Sequence, residues 1–249
     1  MMYGFCSLPV VPMRAEASDR AEMVSQLLFG DTFMVEQQGE KWSLIVMDYD
    51  GYRGWVDTKQ IYFLDEDDYN KVKGWTIVSE LLHVVAHVGG TELLLPMGCK
   101  LPKAGESAPS GLAIGHYVAH DGAEASPVDI ATKWLGVPYL WGGKTCMGVD
   151  CSGFTQTVYK VCSIKLLRDA SQQATQGHAV HSLDDAQEGD LCFFHNADGR
   201  IIHVGIYMGN GRIIHASGCV RIDTLDTKGI YNEDVDKYTH TLSAIRRIR

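Results

Sequence analysis

Seven cysteines stand at positions 6, 99, 146, 151, 162, 192 and 219, and one of them is placed where a thiol can do chemistry. Cys151 follows Asp150 and precedes Ser152, Gly153 and Phe154. Phe154, Val158, Val161 and Cys162 recur at helical spacing, which predicts a helix beginning at Cys151. The first turn of a helix carries unpaired backbone N–H groups and the positive end of its dipole. A cysteine there is expected to have a depressed pKa and an enriched thiolate, and the same N–H groups can hold an oxyanion. Gly153 leaves room for a substrate backbone. Taken alone, though, a free cysteine is more often a buried structural thiol.

A base is needed beside that thiol. In the run from Ile202 to Met208, residues Ile202, Val204, Ile206 and Met208 share one strand face, while His203, Gly205 and Tyr207 share the other. An imidazole displayed beside a glycine gap suits a general base. A lone histidine of this kind otherwise reads as a core-edge residue bonded to a backbone carbonyl. His215 then depends on register. A two-residue Asn210-Gly211 turn puts it on the face opposite His203. A three-residue loop pairs Met208 with Arg212 and sets His215 across from Gly205, diagonal to His203. The longer loop is predicted, with Gly211 left-handed in a bulge, so that His215 orients the base through its second ring nitrogen.

The elements that position these groups fall into three stretches. Residues 1–64 read as short strands (TFMVEQ, KWSLIVM, YRGWV) separated by Gly- and Asp-rich turns, the pattern of a small β barrel. Residues 65–125 begin with the acidic run Asp65-Glu66-Asp67-Asp68, read as a solvated linker, and become β-rich in WTIVSELLHVVAHV, TELLLPMG and GLAIGHYVAH. Residues 126–249 change period. Ser126 suits an N-cap and Pro127 a first helical position, ahead of a helix ending at Gly136. The second helix starts at Cys151, and strands DLCFFH, RIIHVGIYM, RIIHAS and SAIRRIR follow. Helices followed by an antiparallel run make the class α+β.

Composition narrows the partners. The net charge is −9 with no dense Lys/Arg tract, which argues against nucleic acid or an anionic membrane. No Cys-x-x-Cys occurs, so the cysteines read as reduced thiols, no metal or cofactor is expected, and the setting reads as cytoplasmic. The opening MMYGFCSLPVVPMR fails as a signal peptide, although one removed ahead of Met1 would leave no trace.

Together these residues resemble the NlpC/P60 family of papain-like cysteine peptidases. The resemblance rests on Tyr139-Leu140-Trp141-Gly142-Gly143, Asp150-Cys151-Ser152-Gly153-Phe154, Gly189-Asp190-Leu191, His203-Val204-Gly205-Ile206-Tyr207 and Ile214-His215-Ala216-Ser217. It implies Cys151 as nucleophile, His203 as base and His215 as the third polar member. Residues 1–64 resemble a bacterial SH3 domain, and 65–125 read as a second, divergent copy. Within the family the arrangement is similar to γ-D-glutamyl-L-diamino acid endopeptidases, which act on murein peptides with a free N-terminal L-Ala. That similarity implies Asp150 on the substrate ammonium, Ser152, Ser171 and Tyr139 lining the pocket, and Glu16 and Tyr52 closing it from the first SH3 domain. Asp150 as a plain N-cap and Tyr52 as barrel packing are the simpler readings. The expected partner is a peptide such as L-Ala-γ-D-Glu-diamino acid, met by a monomer.

Other features carry less. His83 and His87 have i, i+4 spacing, but LLHVVAH lacks the glutamate of a zinc-peptidase helix and favours a strand. Cys146 reads as packing rather than as a redox partner. Two rivals to hydrolysis stand: a non-catalytic wall-binding module, and acyl transfer by the same Cys–His pair.

Overall fold

The computed structural model describes residues 2–88, 91–103, 108–109 and 125–248, with 82–88 described by backbone alone. The chain forms two compact units, Met1–Gly122 with Trp141–Cys146, and Ala123–Leu140 with Met147–Arg249.

In the first unit, strands β1 (Met2–Phe5), β2 (Val10–Arg14), β3 (Met23–Leu28), β4 (Thr32–Gln38), β5 (Trp42–Met47), β6 (Arg53–Asp57) and β7 (Tyr62–Leu64) build one antiparallel sheet in the order β3-β2-β6-β5-β4-β1-β7. Alternation decides its faces: Val11 and Met13 of β2 are buried, as are Gly54 and Val56 of β6. Val11, Met13 and Val56 join Leu27, Phe33, Ile45 and Met47 in one apolar cluster. Gly51, at φ +74°, makes the turn before β6 that the Asp-rich stretch announced.

The acidic run is not a linker. Asp65 caps a helix, α1 (Glu66–Lys73), by accepting from the Asp68 N–H at 2.8 Å, and Glu66, Asp67 and Asp68 sit at the positive end of its dipole. Burial of Tyr69 and Val72 gives the helix its anchor. Val72, Trp75, Val78, Leu95, Cys99 and Leu101 then share a second cluster with Phe5, Leu28 and Phe29 of the sheet, and Trp75 stacks on Phe29 with centroids 6.2 Å apart. Strands β8 (Thr76–Ile77), β9 (Leu82–Val88), β10 (Thr91–Pro96) and β11 (Lys100–Leu101) pair as two ribbons, β9 with β10 and β8 with β11. LLHVVAH thus runs as the strand β9, while the side chains of His83 and His87, like the GLAIGHYVAH stretch, lie outside the described residues.

The second unit opens with α2 (Pro127–Thr132), where Ser126 accepts from the Asp129 N–H and Pro127 occupies the first turn. The helix ends at Thr132, short of the Gly136 expected, and the chain leaves the turns that follow through Gly136 at φ +82°. The short strand β12 (Lys144–Thr145) belongs to the first unit, and β13 (Gly148–Val149) to the second. Helix α3 (Cys151–Val161) is buried along its whole length, and Phe154 meets Trp134 edge to face at 5.9 Å. After α4 (Ala170–Gln173) come β14 (His178–Val180), β15 (Leu191–His195), β16 (Ile201–Tyr207), β17 (Arg212–Ser217), β18 (Cys219–Leu225), β19 (Gly229–Asn232) and β20 (Lys237–Arg247). They order as β14-β20-β15-β16-β17-β18-β19, and β19 pairs again with β20, closing the sheet on itself.

The β16–β17 connection is the three-residue loop. Met208 donates to the Arg212 carbonyl at 2.9 Å, and His215 faces Gly205. Gly209, Asn210 and Gly211 all adopt positive φ (80°, 52° and 68°), so the left-handed conformation spans the whole loop instead of Gly211 alone. Among the described residues, no helix is long and apolar enough to cross a membrane.

Helix α3 carries the thiol, so its packing is testable through Phe154, which is fully buried. Phe154→Ala is expected to cost about 3–5 kcal/mol in urea unfolding. A loss below about 1 kcal/mol would contradict this account of the core.

Candidate active site

Cys151 is the first residue of α3, and Asp150 caps that helix by accepting from the Gly153 N–H at 2.6 Å. The thiol is buried, and the backbone N–H groups of Val204 and Ser152 point at its sulfur. Val204 directly follows His203, so the nucleophile lies against the strand that carries the imidazole. The expectation of a depressed thiol pKa is overturned. Burial pushes the Cys151 thiol up to about 12, with the Asp150 carboxylate adding to the rise, and the backbone N–H groups and Arg168 recover only part of it. The helix N-terminus does favour a thiolate, but here it is already capped by a carboxylate and cut off from water.

His203 is buried on β16. Its Nε2 lies 2.8 Å from Nδ1 of His215, which leaves Nδ1 of His203 as the nitrogen free of that bond. Burial, then the neighbouring His215 and His240, hold His203 well below its ordinary pKa. Thiol and imidazole therefore rest uncharged. Gly205 makes the imidazole pairing possible. A Cβ there would lie 2.8 Å from Cδ1 of Ile213 and 2.9 Å from Cβ of His215.

Beyond His215 the chain of bonds continues to residues that the sequence reading missed. Nε2 of His215 lies 2.9 Å from Asp223 Oδ2, and Arg221 grips the same carboxylate through Nε and Nη2 while also reaching Asp234 at 2.7 Å. The signal was present: His215 pairs with Arg221, and alternation along β18 puts Asp223 on the same face. His240 is a third imidazole, stacked on His203 with centroids 4.2 Å apart, and burial followed by His215 lowers its pKa to about 4. It sits on the long polar strand β20, where no local pattern marks it. Ring nitrogens of His203, His215 and His240 lie within 4.8 Å of one another. Both nitrogens of His215 are already engaged, so a metal ion held by all three must break one of its bonds.

Asp150 stands at the start of α3, next to the thiol in the chain. Buried Arg168 forms a two-point pair with it (Nη2 to Oδ2 at 2.6 Å, Nη1 to Oδ1 at 3.1 Å) and also donates to Ser152 Oγ at 2.8 Å. The carboxylate thus has a buried counter-charge beside it. Asp150, Ser152 and Arg168 together brace the start of α3. Tyr139 is brought to the thiol: burial, then Cys151 and Asp150, push its phenol up to about 12. Ser171 is exposed on α4, one position past the buried Ala170, and among the described residues makes no hydrogen bond to Asp150, Ser152 or Arg168. In the first unit, Glu16 is exposed after β2, and Tyr52 packs on the sheet's apolar cluster with its backbone N–H on Asp50.

An α+β unit with a helix-leading cysteine set against a histidine strand defines a cysteine peptidase. Comparison with known proteins makes the class specific. Residues 136–239 match the NlpC/P60 family model, and residues 13–61 match the bacterial dipeptidyl-peptidase SH3 domain. The chain is 30% identical over 253 residues to the gamma-D-glutamyl-L-lysine dipeptidyl-peptidase of Bacillus subtilis (strain 168), spanning 90% of this chain and 80% of that one. It is 38% identical over 110 residues to the probable endopeptidase NlpC of Escherichia coli (strain K12), covering 43% of this chain and 66% of that one. A crystal structure of an NlpC/P60 family protein from Bacillus cereus ATCC 10987 superposes over 99% of both chains with TM-score 0.81 at 21% identity, a likeness of fold. The chain belongs to the NlpC/P60 family.

Two outcomes test the site. Because the raised thiol pKa keeps Cys151 protonated to higher pH, its alkylation by iodoacetamide, mapped by peptide mass, should keep climbing above pH ~8.5, the midpoint of an ordinary thiol. A plateau already reached by pH ~7 would show a resting thiolate. Gly205→Ala should separate β16 from β17, lowering kcat by about a hundredfold while the fold persists by circular dichroism. Wild-type turnover would contradict the close approach.

Proposed function

We propose that the protein hydrolyses the bond between the γ-carboxyl of D-Glu and a diamino acid in murein-type peptides, releasing an N-terminal dipeptide. One observation carries the reading: a buried thiol lies against the His203 strand, in a chain that matches a γ-D-glutamyl-L-lysine dipeptidyl-peptidase along 90% of its length.

As the Cys151 sulfur attacks the γ-carbonyl, its proton passes to Nδ1 of His203, so charge develops only as the bond forms. The tetrahedral oxygen is held by backbone N–H groups at the start of α3. The imidazolium returns its proton to the leaving amine, and the C–N bond breaks to give a thioester. His203 then takes a proton from water as it attacks the thioester, and the sulfur leaves with that proton. His215 holds His203 in orientation throughout. Tyr139, placed beside the thiol, lines the approach to it.

A dipeptidyl-peptidase measures two residues from a free N-terminus, so the substrate is a peptide with an unblocked L-Ala amine. A subsite matched to that ammonium leaves its counter-charge unpaired when the amine is acylated, at a cost of about 3–5 kcal/mol. This preference favours soluble stem-peptide fragments over intact wall, where the L-Ala nitrogen is acylated, and suits a role in recycling.

The purified protein should convert L-Ala-γ-D-Glu-L-Lys to L-Ala-D-Glu and lysine, and should cleave the N-acetyl form at least about a hundredfold more slowly. Cys151→Ala should reduce turnover to background. Equal rates on the two peptides would overturn the free-amine requirement, and activity retained in the variant would overturn the nucleophile. An added amine appearing in the product would establish acyl transfer instead of hydrolysis.

A further inference from the structure

The peptidase reading explains Cys151, His203 and His215, but not why a buried carboxylate, gripped by an arginine, stands behind them. We infer that Asp223, clamped by Arg221, is a positioning residue that selects the tautomer of both imidazoles and so aims the lone pair of His203 at Cys151. This inference rests on that reading of the site.

A carboxylate only accepts hydrogen bonds. With Oδ2 of Asp223 at 2.9 Å, Nε2 of His215 must therefore carry a proton. When that is the only proton on His215, its lone pair is on Nδ1, which at 2.8 Å accepts from Nε2–H of His203. The remaining lone pair of His203 is on Nδ1, the nitrogen without a partner in this chain of bonds. One carboxylate thus fixes two protons and leaves the outermost nitrogen able to accept the thiol proton.

Arg221 makes the arrangement one-directional. Its Nε donates to Oδ2 at 2.9 Å and its Nη2 to Oδ1 at 2.8 Å, so both oxygens face donors. The Asp223 side chain is only 4% exposed, and burial alone would raise its pKa; the bonds from His215 and Arg221 outweigh that and hold it below the ordinary value. Arg221 is in turn tied to Asp234 at the surface, which fixes the clamp from outside.

The clamp makes Asp223→Asn a sharper test than truncation. An asparagine must turn its oxygen to the donors of Arg221, which points its NH2 at Nε2 of His215. Every proton in the line then inverts: His215 donates from Nδ1, His203 accepts at Nε2, and Nδ1–H of His203 faces the thiol, where it cannot act as a base. Asp223→Ala removes the directing group without imposing the wrong tautomer. On L-Ala-γ-D-Glu-L-Lys, Asp223→Asn should lower kcat by roughly a thousandfold or more, with KM within about threefold. Asp223→Ala should lose less, whereas a residue that merely supported the fold would tolerate the isosteric asparagine better than alanine.

Histidine 15N spectra of the free protein supply a reading that needs no substrate. Wild type should show His203 protonated at Nε2, and Asp223→Asn should show it protonated at Nδ1, with thermal unfolding used to confirm that the variant is folded. Wild-type His203 protonated at Nδ1, an unchanged tautomer in Asp223→Asn, or an asparagine variant more active than the alanine variant would each overturn the inference. Failure to cleave the peptide with the expected tautomers observed would count against the proposed substrate and not against the role of Asp223.

Discussion

Two imidazoles on neighbouring strands can share a proton only if the strands meet at the right register and close enough for the rings to touch. Gly205 and the Gly209-Asn210-Gly211 loop supply both conditions. The loop shifts the pairing by the one residue that brings His215 opposite Gly205 and not to the far face of the sheet. The missing side chain at Gly205 then gives the His215 side chain the space it occupies. Everything further along the line, from Asp223 to Arg221, inherits its position from this one strand pair. The closed sheet holds that pair from both sides, since β16 is bonded to β15 and β17 to β18.

The second determinant is dehydration. Cys151 and His203 are both buried, and burial acts on them in opposite directions, raising the thiol and lowering the imidazole. A resting pair without charge follows. Such a site does not hold a reactive thiolate before substrate arrives, which limits adventitious oxidation of the sulfur. The Asp150–Arg168 pair belongs to the same economy of charge. It caps α3 and fixes Ser152 while adding almost no net charge near the sulfur.

How much of this was written locally in the chain differs by feature. The helix at Cys151, its Asp150 cap, the Ser126–Pro127 helix start and the three-residue loop all follow from patterns within a few residues, and each is found. Arg168 lies 18 residues from Asp150, and nothing near it announces that it turns inward to meet that carboxylate. Asp223 and Arg221 were legible in principle from strand parity, once β17 and β18 were paired. His240 reaches the site only because β20 closes the sheet, a long-range fact without a local mark. Asp65–Asp68 looked like a linker because it is a run of acidic residues, yet the same residues suit a helix start, and the apolar residues after them decide the matter. The thiol pKa went wrong for a related reason: helix position is local, whereas burial is a property of the whole unit.

One feature of the first unit bears on how the molecule can be divided. Phe5, Leu28 and Phe29 belong to the seven-stranded sheet, yet they are covered by Val72, Trp75 and Leu101, which come after it in the chain. A fragment ending at Leu64 would leave that aromatic surface wet, and exposed apolar patches of this kind drive self-association. The sheet is therefore no free-standing cassette for grafting onto other enzymes. Its smallest transplantable form includes α1 and the ribbons that follow.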